Sequence, residues 1–96
     1  MTDIAILSGI NLYGGIVEEV ADDPMFGKRI VIAFPNRFKA SAISGPYTNG
    51  GKDGLWEIAV LDSSGDITYD TPVTGDVLGF LSMSEVDGIL SQIAAL

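Results

Sequence analysis

Across the last fifteen residues, the apolar positions Val86, Ile89, Leu90, Ile93 and Leu96 recur at intervals of three and four. That is the spacing of one helix face. Ser82-Met83-Ser84-Glu85 stands immediately before them. It has the form of a capping box, in which the serine hydroxyl accepts from the third helical N–H while the glutamate reaches back to the serine N–H. The pattern predicts a helix over about residues 83–95, with Val86, Ile89, Leu90 and Ile93 turned toward a sheet. Gly88 lies inside it and costs about 1 kcal/mol relative to alanine.

Upstream the pattern is that of strands. Arg29–Phe34 is rich in β-branched residues and is followed by Pro35-Asn36, which supplies turn chemistry. Phe38–Ser44 fits the returning strand. Leu55–Leu61 is apolar except at Glu57, the signature of a central strand covered on both faces. Asp62-Ser63-Ser64-Gly65-Asp66 predicts a tight turn, with Gly65 at positive φ, returning into Ile67-Thr68-Tyr69. Ile4–Leu7 fits a short strand. Ile16–Ala21 suits a strand or a helical turn, and the breakers Asp22-Asp23-Pro24 and Gly27 favour a strand in a hairpin. Leu78-Gly79-Phe80-Leu81 abuts the helix cap and is expected in the core. The sum is a single domain over residues 1–96. Its expected class is α+β, a mainly antiparallel sheet with a C-terminal amphipathic helix packed on it.

Composition narrows the function classes. Apolar residues make up 47% and charged residues 19%, which excludes a disordered chain. So apolar a chain of this size either builds a dense core or keeps apolar surface for a partner, a second copy of itself included. No apolar run approaches the roughly 18 residues of a membrane span, and no basic segment precedes the first apolar residues. A cytoplasmic protein is expected. There is no cysteine and no histidine. Disulfides, thiolate metal sites and cysteine nucleophiles are thereby excluded, and the commonest metal ligand and usual general base are missing. The expectation is a protein with no cofactor and no catalysis of its own.

The net charge of −8 is unevenly spread. Residues 1–23 carry five acids and no base, residues 24–52 carry all five bases and no acid, and residues 53–96 carry eight acids and no base. Two arrangements satisfy this order: acidic strands neutralised by basic neighbours across a sheet, or a dipolar molecule with a large acidic face. Such a face attracts basic partners and repels nucleic acid, so no direct nucleic-acid binding is expected.

Several segments resemble chemical motifs and fail on context. Gly45–Gly54 is glycine-rich and contains Gly51-Lys52, but Pro46 stands where a phosphate loop needs glycine and Asp53 where it needs a hydroxyl. It reads as a long hairpin loop that can serve as a contact loop. Asp62, Ser64, Asp66 and Thr68 alternate as in a calcium loop, but Ile67 and Val73 occupy the positions of its glycine and final glutamate. Glu18/Glu19, Asp22/Asp23 and Asp66/Asp70 are the carboxylate pairs open to two-acid hydrolysis. Tyr13, Trp56, Tyr69 and Phe80 are further aromatics able to anchor a partner, with Trp56 expected in the core. The residues singled out for partner binding are Asp62, Asp66 and Asp70 around the Gly65 turn, and Tyr47 and Lys52 in the glycine-rich loop.

Three blocks, Ile43–Gly51, Gly54–Leu61 and Ile67–Gly79, resemble segments of small uncharacterised proteins encoded by tailed bacteriophages. The resemblance covers about the last half of the chain and carries no catalytic motif. It implies an accessory protein acting in the host cytoplasm. The leading expectation is a non-catalytic acidic protein that binds, and by binding inhibits, a basic host protein such as a nucleic-acid-binding defence component. The alternatives are a self-associating structural or assembly protein of a virion and, third, a carboxylate-dependent hydrolase.

Overall fold

The β-branched run around Ile30-Val31-Ile32 forms strand β2 (Gly27–Ala33), flanked by β1 (Ile16–Asp23) and β3 (Lys39–Ser44). With β4 (Trp56–Leu61) and β5 (Leu78–Leu81) they make a five-stranded sheet in which spatial order follows chain order and every pair is antiparallel. The helix α1 (Met83–Ala94) packs on β3, β4 and β5. The fold is therefore α+β. The computed structural model describes residues 11–25, 27–46, 48, 50–68, 71 and 77–96. The expected strand at Ile4–Leu7 lies outside the described residues.

Alternation along the strands sorts the two faces. Ile30, Ile32, Ala40, Ala42, Trp56, Ile58 and Val60 point to the helix and meet Val86, Leu90 and Ile93 in the main core. Val31, Ala59 and Leu61 form a smaller cluster on the opposite face, with Val77 against it. β4 is thus buried on both faces, as its continuous apolar run suggests. It is also an interior strand, paired with β3 on one side and β5 on the other.

Both outer strands break the two-residue period, and a bulge in each repairs the break. Val17 pairs with Ile32 and Glu19 with Val31, leaving Glu18 as the extra residue of β1. Val17 and Val20, three residues apart, consequently both pack on the helix-side core. In β5, Gly79 and Phe80 together stand opposite Glu57, between the pairs Ile58–Leu78 and Trp56–Leu81. Leu78 and Leu81, also three apart, are thereby both turned inward. An extra residue moves everything beyond it to the other face of the strand.

The helix ends are closed from two directions. At the N-terminus, Glu85 N donates to Ser82 Oγ (3.3 Å) and Ser82 N donates to Glu85 Oε1 (2.9 Å), completing the capping box. At the C-terminus, Asn36 Nδ2 in the β2–β3 turn reaches the carbonyls of Ile93 (2.8 Å), Ala94 (3.2 Å) and Leu96 (3.3 Å). Its Oδ1 accepts from Phe38 N (3.0 Å). One asparagine thus shapes a turn and adds a side-chain donor to the carbonyl end of the helix.

The Gly65 turn forms as expected. Asp62 N donates to Asp66 O (2.8 Å), Gly65 N donates to Asp62 O (3.0 Å), and Gly65 has φ +89°. Its return is shorter than a strand: among the described residues it amounts to the Leu61–Ile67 bridge and a bond from Thr68 N to Val60 O (2.9 Å). The strand beside β4 is instead Leu78–Leu81. That segment only partly fulfils its core expectation, since Leu81 is buried while Phe80 is 62% exposed.

Candidate functional site

Of the residues singled out from sequence, the three that are described fall into two groups. Asp62 and Asp66 follow β4, whereas Lys52 precedes it in a single 3₁₀ turn (Gly51–Asp53). A six-residue strand separates the two groups by roughly 17–20 Å. Tyr47 and Asp70 lie outside the described residues. Asp62 is already engaged, its Oδ1 accepting from Ser64 N (2.9 Å) and Asp66 N (3.1 Å). Asp66 and Lys52 are exposed.

The glycine-rich loop is closed on itself. Gly45 N donates to Thr48 Oγ1 (2.9 Å), Thr48 Oγ1 donates to Gly45 O (3.0 Å), and Ser44 Oγ donates to Leu55 O across its base (2.8 Å). A Cβ on Gly51 would overlap the Gly45 carbonyl. Glycine is required here for close backbone approach within the loop.

A shallow hollow of about 380 Å³ lies on the sheet face away from the helix, floored by Val31 and Leu61 and edged by Gly65. Its walls are two ion pairs, Arg29 Nε to Glu19 Oε2 (2.9 Å) and Lys39 Nζ to Glu18 Oε1 (2.8 Å). The β1 bulge brings both glutamates there; Glu19 takes its base from the adjacent β2 and Glu18 reaches across β2 to Lys39 of β3. The Glu18/Glu19 pair is thus occupied with charge neutralisation, and no group of three acids converges on a metal site among the described residues.

A second polar cluster ties the segment before β1 to the helix. Asp87 accepts from Tyr13 Oη (2.8 Å), Asn11 N (3.2 Å) and Asn11 Nδ2 (3.0 Å). The Tyr13 hydrogen bond, then the Asn11 backbone N–H, holds the Asp87 carboxyl below its ordinary range, and the same Asp87 bond pushes the Tyr13 phenol up. The Ser82 backbone N–H, then its hydroxyl, lowers Glu85. No local pattern in the sequence marks Asp87, or the reach of Asn36 to the helix end, because those partners lie far along the chain.

The ion pairs redistribute the charge. Residues 16–44 contain four acids (Glu18, Glu19, Asp22, Asp23) and four bases (Lys28, Arg29, Arg37, Lys39), so the β1–β3 meander is neutral. Asp22 pairs in register with Lys28. Residues 50–96 hold eight acids against Lys52 alone, a net −7, and Asp3 completes the −8. In comparisons with known proteins the chain matches no family model, no curated protein and no solved structure.

Proposed function

We propose that this chain is a non-catalytic acidic interaction protein that engages a basic protein partner. The observation that supports this most is the charge partition along the chain: a neutral β1–β3 meander leaves the excess negative charge to residues 50–96, the stretch that contains β4, β5 and α1. Such a field speeds encounter with a basic surface and repels nucleic acid. With no histidine or cysteine in the chain, no usual general base or thiol nucleophile supports an enzyme reading. In the setting implied by the phage resemblance, the partner is a basic, nucleic-acid-binding host protein in the bacterial cytoplasm, which this protein inhibits by competing with DNA. No described helix is long and apolar enough to cross a membrane.

The test is capture from bacterial lysate at low and high salt, followed by association rates for the captured protein. Asp62→Asn keeps the turn acceptor while removing charge, and joins Asp66→Lys and Asp70→Lys as the acidic set. Lys28→Glu, Arg29→Glu and Lys39→Glu form the control set. Association should slow with salt and in the acidic set, and DNA should compete for the partner. Salt-independent rates, or a greater loss from the control set, would replace this reading with an apolar, self-associating assembly protein.

A further inference from the structure

We propose that Phe80 is the apolar anchor through which the acidic half docks a basic segment of its partner, an inference that rests on the reading just given. Phe80 is 62% exposed, although it sits on a strand whose neighbouring leucines are turned inward. Its backbone is left-handed, with φ +57°. That conformation is uncommon for a non-glycine residue and a genuine outlier for a bulky one. The β5 bulge does not require phenylalanine, since glycine meets the same conformation without strain. At φ above +70° the described residues are Gly14, Gly27, Gly50, Gly54 and Gly65, with Arg37 the one non-glycine among them. Tyr13, also at positive φ, gains its bond to Asp87. Phe80 gains no such bond among the described residues, and its ring stands largely in solvent.

Its seat is Gly50. A Cβ at that position would lie 2.9 Å from Phe80 Cα and 3.0 Å from its Cδ1, and 3.1 Å from Leu55 Cβ. The closed glycine loop therefore supports one side of the ring and leaves the rest exposed. An aromatic ordered before binding loses little freedom on docking, the property that makes such residues anchors. The charge around it selects the occupant. Asp53 follows Gly50 in the 3₁₀ turn, Glu57 stands opposite Gly79-Phe80, and Glu85 opens the helix, in a stretch, residues 50–96, whose one base is Lys52. A second copy would bring the same acids to the contact. A segment combining an apolar side chain with lysine or arginine complements both features.

The experiment uses two synthetic peptides of equal length and charge, one alternating lysine with leucine and one lysine with glycine. Titrations at low salt are made into the wild-type chain and Phe80→Gly, whose new residue suits the backbone conformation. The wild type should prefer the lysine–leucine peptide by about tenfold or more, as loss of an anchor predicts, and Phe80→Gly should lose that preference. Amide shifts in the wild type should move at Phe80, Gly50 and Leu55, a readout that needs no variant. A preference that survives Phe80→Gly, or shifts centred on the Glu18–Lys39 hollow, would overturn the anchor. Equal binding of both peptides would remove the anchor and leave the acidic reading standing, whereas no binding of either would remove both. A concentration-dependent oligomer dissolved by Phe80→Gly would assign Phe80 to self-association instead.

Discussion

Asp87 shows how one carboxylate can hold together residues 74 and 76 positions apart, through Tyr13 and Asn11. Its folded-state pKa is depressed, as is that of Glu85. For a depressed carboxyl, the stabilising contribution is present above the unfolded value and is lost as pH falls through the folded one. Asp87→Asn should therefore flatten the acid limb of a stability–pH profile, measured as denaturant midpoints between neutral and strongly acidic pH. Tyr13 has the opposite sign. Its raised pKa gives a contribution present below the unfolded phenol value and lost as pH rises through the folded one. Tyr13→Phe should remove that alkaline component from the same profile. A variant profile parallel to wild type at both ends would mean that the Asn11–Tyr13 segment does not hold Asp87 in solution.

For the helix, burial ranks positions that periodicity treats alike. Leu90 is fully buried, whereas Ile89 is half-buried at the edge of the core. Leu90→Ala should cost about 2–5 kcal/mol, the range for large-to-small core changes, and Ile89→Ala clearly less. Chemical denaturation of the two variants checks the order. Gly88 has open space where a Cβ would stand, so Gly88→Ala should stabilise by up to about 1 kcal/mol through helix propensity. Asn36 joins the β2–β3 turn to the helix end. Asn36→Ala should cost about 1–2 kcal/mol for the lost bonds. Asn36→Asp should cost more, because a carboxylate would face carbonyl oxygens at the negative end of the helix. Thermal melts should show that extra cost fading at acid pH, where the aspartate is neutral.

For the whole molecule, the two ion pairs and the acidic half respond to salt in opposite directions. Arg29–Glu19 and Lys39–Glu18 are partly exposed, and pairs of this kind contribute about 0–1 kcal/mol each. Crowding seven net negative charges into residues 50–96 creates self-repulsion that screening relieves. The melting temperature should accordingly rise from low ionic strength to 0.1 M salt, where the Debye length is about 10 Å. A fall would mean that the ion pairs outweigh the repulsion and that the acids are more dispersed than the charge partition implies.

What the sequence determined by itself is local. Helical spacing behind Ser82–Glu85, the β-branched run of β2 and the Gly65 turn are each set by side-chain period, capping and φ preference within a few residues. Those preferences suffice for the fold class and for most strand positions. The tertiary structure decided what depends on distant partners. It let one asparagine in a distant turn close the helix. It also paired acids and bases that the sequence keeps in separate segments, Glu19 with Arg29 and Glu18 with Lys39. The bulges belong here as well. Val17 with Val20, and Leu78 with Leu81, violate strand alternation as sequence and obey it as structure. Only pairing against a neighbouring strand can define an extra residue. The exposure of Phe80 follows from that pairing, and its neighbours in sequence hold no signal of it.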